Sequence, residues 1–599
     1  MREIRSAPVS VITKLHRGLA AFFLVLLLTL SSAADAQSSL IFRSGFELQP
    51  PESDAEAARF LNQATFGATM EDIARLRQRG YDAWLQEQFA LPVGWNHVQQ
   101  TLQTATYVGC NYLRPTDEDL NTSLWGAYRS APDQLRQRMG YALSQILVVS
   151  QNVQHFYENG LLVPSYMDML NARAFGNFRD LLDAVARHPA MGQYLSHAYN
   201  PKENPATGRI PDQNFARELM QLFSIGLEEL NLDGTPRRYT SGPNAGQPIP
   251  TYGQDDIEGL SRVFTGWIWA SQNSFTRPGT FANTCNQADQ TQPMRPFPSQ
   301  HSTSEKRFLG LTLPAQSTPD PEASLRAALD RVFNHPNVGP FIGRQLIQRF
   351  VVSNPSPAYV TRVAQAFNNN GQGVRGDLQA VLRAVLMDPE ARDRARITNP
   401  TWGKIREPIL RHAHLMRAVG ATTSDSSGGY RVRLTGQFWE FGIGAPPMRS
   451  PTVFNHYRPT YAPPGSALVV QGLAAPEMQI VNEFRITEWT TRWLRETVFE
   501  GGFTDCCSDP ARDFYFWRLD YAPLIALYRE NPQRVVDRLD LLFTAGTLSP
   551  QMRQWLADEL ASNTGAVSPL SGRPRGVDHL RIGRTLGLLV ASTEYVVQK

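Results

Sequence analysis

Apolar residues recur three and four positions apart along most of this chain. Leu135, Met139, Leu143, Ile146 and Leu147 fall on one helical face, with Pro132 suited to the first turn ahead of them. The same spacing predicts helices over 177–187, 322–334, 341–352, 358–368, 377–387, 404–418, 534–544, 550–562 and 577–591. Three of these runs ("DLLDAVARHP", "AALDRVFNHP" and "LQAVLRAVLMDP") stop at a proline: Pro189, Pro336 and Pro389. Their separations are irregular, which argues against a regular solenoid and for a shared helical-hairpin style. Strand-like alternation is confined to short pieces such as 307–313, "RFLGLTL". Polar loops are expected over 231–253 and 270–304, and a Ser/Gly-rich one over 421–430. In 444–465, "GAPPMRSPTVFNHYRPTYAPPG", the prolines fix φ and remove backbone donors, so neither helix nor inner strand fits. Loops this long in a compact protein are often functional, or else disordered. The expected fold is mainly α: a multi-helix array of amphipathic helices and helical hairpins, with long polar and Pro-rich loops and a few short strands.

The pattern divides the chain into regions. A leader over 1–36 and a flexible stretch over 37–54 precede an N-terminal helical region over 55–230. A loop-rich insertion over 231–315 surrounds a helix at 256–266. A central helical region over 316–420, a Ser/Gly and Pro/aromatic loop region over 421–470 and a C-terminal helical region over 471–599 complete it.

Within this frame, "QNFARELMQLFSIG" (213–226) is the most informative stretch. On a helical wheel Phe215, Ala216, Leu219, Met220, Leu222 and Phe223 form an oily arc, while Asn214, Arg217, Glu218, Gln221 and Ser224 form a polar one. Asp212 suits the start and Gly226 the end. A helix this short is marginal alone, so its oily arc must pack on something. The polar arc is either a solvated face or the lining of a cleft, with Asn214, Arg217 and Gln221 as binding candidates and Glu218 as a catalytic one. Arg forks onto carboxylates and phosphates, and Glu218 could hold a cation or move a proton.

The helix at 256–266 shows Ile257, Leu260, Val263 and Phe264 on one side and an expected Glu258–Arg262 pair outside. "GWIW" then places Trp267 as either core or a stacking platform for a ligand. His301, in "FPSQHSTSEKRFLG", is an exposed loop histidine or a base or metal ligand. His412 and His414 lie about 200° apart on a helix and cannot share a metal there. His188 and His335 precede prolines and should bond locally. Gly371 to Gly376 matches G-x-G-x-x-G in letters but follows a helix, so a dinucleotide site is rejected, and Asp377 should cap the next helix. No G-x-S-x-G, H-E-x-x-H or P-loop is present, and no cofactor or metal is specified.

Charge and cysteines narrow the setting. Arg2, Arg5, Lys14 and Arg17 precede an apolar run from Leu19 to Leu30, and Ala34-Asp35-Ala36 offers small residues at a cleavage site: a secretory signal pattern, which directs the chain to the periplasm or outside the cell. That run falls short of the roughly 20 residues a bilayer demands, so no span is expected after cleavage. The 599 residues carry 58 basic and 55 acidic side chains, near balance, and no basic stripe suggests nucleic acid. Cys110, Cys285, Cys506 and Cys507 are disulfide candidates in an oxidising compartment; three pairings are open, and neighbours 506 and 507 favour bonding outwards.

Several motifs in order carry a resemblance. "AARFLNQATFGAT" (57–69), "GNFRDLLDAVARHPAMGQYL" (176–195), "NFARELMQLFSIG" (214–226), "FTGW" (264–267), "SPTVFNHYRPTYAPPG" (450–465), "APEMQI" (475–480) and "STEYVVQK" (592–599) resemble a bacterial family of exported proteins catalogued as the domain of unknown function number 1800. The resemblance names a relative rather than a reaction. Where many members show His-Asp this chain has His301-Ser302, and "YALSQILVVS" (141–150) has no histidine where many show one, which weakens any histidine-based metal site. The resemblance also implies a partner, an exported protein of family number 1501, whose fold is similar to that of sulfatases. Two classes of function stand open: an exported scaffold or binding protein, or a hydrolase-like or metal-assisted enzyme with a cleft around Arg217, Glu218, His301 and Trp267.

Overall fold

A computed structural model describes residues 50–108, 112–153, 156, 159–277, 288–423, 444–488, 498, 517–562 and 576–599. The leader and all four cysteines lie outside these residues. The described chain is mainly α-helical, and its β-structure consists of two-stranded sheets and isolated bridges. One apolar cluster runs from Ala57 to Tyr595, so the regions read from the sequence share a core.

Local chemistry explains where the helices begin. Asp320 accepts from the Ala323 amide and Pro321 occupies the first turn of Pro321–Phe333. Ser356 and Pro357 do the same for Pro357–Asn368. Asp377 accepts from Gln379 and Ala380 and starts Leu378–Met387. Each arrangement supplies an acceptor for orphan amides or removes one of them. The proline-stopped runs turn out to be junctions. Pro189 and Pro389 each open a new short helix, with His188 Nδ1 and the Asp388 carboxylate accepting from the amides two residues on. His335 Nδ1 does likewise for Asn337 at 3.2 Å.

Helix Val338–Phe350 packs against Pro357–Asn368 and Leu378–Met387, forming the three-helix layer beside the cleft described below. Leu346, Ile347 and Phe350 are wholly buried there, each worth about 1.5–3 kcal/mol of apolar burial. Helix Gln134–Ser144 also touches Val338–Phe350.

Three local readings change. Residues 306–313 form a hairpin, Lys306–Phe308 against Leu311–Leu313, because Leu309 and Gly310 both take positive φ and make a two-residue turn. The helix expected over 256–266 is α-helical at Gln254–Ser261 and tightens to a 3-10 turn at Arg262–Phe264. That turn carries Arg262 off the face of Glu258, and Arg262 donates instead to the Glu305 carbonyl at 2.7 Å. Residues 227–251 form an arm folded on itself, with Glu229 N donating to Ile249 O and Arg237 N to Glu229 O, both at 2.7 Å.

Candidate functional site: a cleft between the motif helix and the proline-rich loop

The motif helix spans Asn214–Gln221, with Phe215, Ala216, Leu219 and Met220 buried as its oily arc requires. Phe215 packs edge-on against Phe264 and stacks on His197. The turn that follows the helix closes at Gly226, whose φ is +75° and where a Cβ would stand 2.8 Å from the Phe341 ring, a position that favours glycine. Asn337 fixes this exit. Its amide nitrogen donates to Ile225 O (2.9 Å) and Glu228 O (2.7 Å), while its oxygen accepts from Leu230 N (2.9 Å).

Beyond that exit lies a cleft of about 670 Å³. Its walls come from the end of the motif (Gln221, Leu222), the arm (Leu227 to Pro236), helix Val338–Phe350 (Phe341, Arg344, Gln345, Gln348, Arg349), the end of the 134–146 segment (Gln145, Ile146) and the proline-rich loop (Val453 to Thr460). The loop is irregular, as its prolines demand, but it is pinned. Ser150 Oγ donates to Ser450 O at 2.7 Å, Gln151 N to Met448 O at 2.8 Å and Gln348 Nε2 to Pro459 O at 3.0 Å. Two stretches carrying the family resemblance, 214–226 and 450–465, therefore meet at one cavity.

Polar groups without protein partners gather on its walls. Gln345 is 7 % exposed and its side-chain nitrogen has no partner. Gln348 and Gln145, 4 % and 5 % exposed, each use the nitrogen and leave the oxygen unpaired. Partly buried Arg344 makes no hydrogen bond or ion pair among the described residues, and burial alone depresses its pKa. An unmet buried amide costs about 1–3 kcal/mol, and native proteins keep few of them. Three such atoms belong to side chains that line this one cavity.

Behind this wall sits a buried ionic network. Glu407 accepts from the Tyr141 hydroxyl at 2.6 Å and from Gln145 Nε2, and Lys404 Nζ lies 3.1 Å from Glu477 and 3.7 Å from Glu407. Burial works to raise Glu407, but Lys404, the Tyr141 hydroxyl and Arg138 outweigh it and hold the carboxyl below its ordinary range. Burial wins at Glu477, which is raised despite Lys404. Arg349 donates to Gln345 O and Gln145 O, both at 3.1 Å, within the field of Glu407 and Glu477. Tyr457 belongs to both cleft and network: it lines the cavity and its hydroxyl lies 3.4 Å from Gln145 Nε2.

The residues singled out from sequence fall in several places. Gln221 lines the cleft. Arg217 and Glu218 are half-buried one turn earlier, with Arg217 Nε and Glu218 Oε2 unpartnered. Burial raises the Glu218 carboxyl against the opposing pull of Arg217. Burial, then Glu218, pushes the Tyr194 and Tyr252 hydroxyls up to about 12, which places both near that carboxylate. Asn214 is exposed at the helix start and donates its amide to Asp212. Trp267 is buried under the Arg187 guanidinium, 5.1 Å from its ring centre. His301 is wholly buried and uses both ring nitrogens, Nδ1 with Thr265 O at 2.9 Å and Nε2 with Ser324 Oγ at 3.1 Å. Its charge is governed by burial and by Lys306, Asp320 and Glu203, whereas Glu218 feels Arg217; no hydrogen bond or electrostatic interaction joins His301 to Glu218. Among the described residues, no three His, Cys, Asp or Glu side chains gather closely enough to hold a metal ion, and no helix is long and apolar enough to cross a membrane.

The cleft residues Arg344, Gln345, Gln348 and Arg349 were not singled out by sequence. Their signal is a polar stripe at helical spacing inside an otherwise apolar helix, where Gln and Arg have no reason to face a core. Comparison with known proteins finds no curated protein and no solved structure that matches the chain. Residues 59–597, which contain every element of the cleft, match one family over nearly the whole chain, and the protein belongs to that family, described as protein of unknown function (DUF1800).

Proposed function

We propose that this is a binding protein whose ligand occupies the cleft between the motif helix and the proline-rich loop. The observation that carries this reading is the buried wall of Gln145, Gln345 and Gln348 with polar atoms that no protein group meets. A cavity of about 670 Å³ is in the range of small-molecule sites, which are largely apolar with a few placed polar groups. Phe341, Leu222 and Val453 supply the apolar part here. The Asn337 bonds and the loop contacts hold the walls in place before a ligand arrives, which lowers the entropic cost of binding. The basic leader and the apolar run from Leu19 to Leu30 support a site of action outside the cytoplasm, where a partner of the sulfatase-like family number 1501 is a candidate for receiving the ligand or the loaded protein.

The test is thermal melting of the full chain against a panel of small apolar acids, their amides and dipeptides, with Leu222→Trp to fill the cleft and Gln345→Leu to remove its unmet amide. Ligand binding raises the melting temperature by mass action. Some members should stabilise the native protein, and both substitutions should remove the shift while leaving the unliganded melt near that of the parent. No shift with any member, or shifts untouched by both substitutions, would overturn the reading.

A further inference from the structure

Resting on that cleft, we infer that its ligand is a monoanion: an apolar body bearing one carboxylate, which Arg344 grips. Three guanidiniums border the cavity. Arg349 is engaged, donating to two backbone carbonyls in the field of Glu407 and Glu477. Arg458 is exposed at the rim, its guanidinium 4.7 Å over the Phe454 ring. Arg344 is the cation left over: partly buried, with no hydrogen bond or ion pair among the described residues and no carboxylate acting on it. Glu228, the acid of the lining, is exposed, and among the described residues no ion pair joins it to Arg344 or Arg458. A second cleft on the molecule, of about 400 Å³, shows the contrast: its Arg362 is held by Asp388 at 2.7 Å and its Arg383 pairs with Asp82.

Of the two guanidiniums without a carboxylate among the described residues, Arg458 is exposed to water and Arg344 is partly buried, so the buried part of the cavity calls for one negative charge. The planar fork of Arg344 matches a carboxylate with two parallel hydrogen bonds. A phosphate dianion is served by several cations or a ring of backbone amides, and this wall offers amide side chains instead. Gln348 stands one turn on from Arg344 and Gln345 lies beside it, so the three side chains present one helical face to the same space. Gln345 Nε2 has a donor to give and Gln348 Oε1 an acceptor, which suits the remaining polar atoms of a carboxylic acid or of the last peptide unit of a chain. The same chemistry has two sources, a free small acid or a peptide C-terminus.

Calorimetric titration of the full chain separates these cases. The probes are 4-phenylbutyrate and its amide, N-acetyl-leucyl-phenylalanine and its C-terminal amide, and inorganic phosphate. The acids should bind at least about tenfold more tightly than their amides, a difference of about 1.4 kcal/mol. Arg344→Gln should abolish that preference while the amides bind as before, and Arg344→Lys should restore part of it. A tighter peptide acid assigns the ligand to a chain terminus; an equal or tighter phenylbutyrate assigns it to a small acid. Amides binding as well as acids, phosphate binding more tightly than either acid, or a preference that survives Arg344→Gln would overturn the inference and leave the cleft as a binding site. If no probe, acid or amide, binds, both readings fall.

Discussion

Two buried polar clusters in this protein differ in kind. Around His301 the polar groups bond within the protein, with Glu203 Oε2 the exception: the imidazole bonds Thr265 and Ser324, Glu203 Oε1 accepts from Ser302 and Ser304, and Lys306 Nζ donates to Ser302 O at 2.8 Å. Around Gln345 the groups are as deeply buried, yet their partners are missing from the protein. A closed network fixes a loop and leaves nothing to offer a ligand. An open one gives up stability in the free protein and regains it when something binds. Burial of polar residues alone therefore does not mark a site; the balance of donors and acceptors does.

The comparison can be broken most forcefully with acid. Burial depresses His97, His188 and His412 to about 3, and His197 and His301 to about 4. In the unfolded chain these rings protonate near 6.5. Between those values the unfolded state binds more protons, so stability is full above about pH 6.5 and falls as pH falls towards 4. Each ring contributes up to about 1.4 kcal/mol per pH unit in that window. Melting temperature should drop steadily from pH 7 to pH 5, by more than any single substitution below achieves. A flat profile over that range would mean that the rings are not held neutral.

Glu407→Ala comes next. It leaves Arg138 and Arg349 buried beside Lys404 with one fewer counter-charge, and loss of one member of a buried ionic network costs about 3–5 kcal/mol. Chemical denaturation should show the loss as a lower midpoint. A cost under about 1 kcal/mol would show that the network behind the cleft does not hold its wall.

The sharpest pair is His301→Ala against Gln345→Leu. The first strands Thr265 O and Ser324 Oγ and should cost about 2–3 kcal/mol. The second removes an amide that nothing meets and puts an apolar group of similar size in its place, so stability should hold or rise by up to about 1 kcal/mol. Equal losses in the two variants would erase the distinction between closed and open clusters.

How much of this was legible in the sequence follows from the range of each interaction. Helices and their caps depend on neighbours a few positions apart, so the runs at 322–334, 358–368 and 377–387 and the Asp377 cap were readable from spacing. The oily arc of 214–221 was readable for the same reason. The outside pairing of Glu258 with Arg262 was not, because the helix changes to a 3-10 turn at Arg262, whose guanidinium bonds the distant Glu305 carbonyl. The cleft was hidden for a stronger reason. Gln145, Gln221, Arg344 and Tyr457 are brought together by tertiary contacts across more than three hundred positions, and no local pattern records that meeting. What was visible is that 214–226 and 450–465 carry family motifs; that they face each other could be known only from the fold.

Hydrogen exchange of the full chain, with and without the tightest-binding probe, tests the central claim most directly. The account predicts slowed exchange in 222–230, 338–350 and 453–460, with residues 298–308 around His301 unchanged. Protection at 298–308, or protection that spares all three cleft segments, would contradict it.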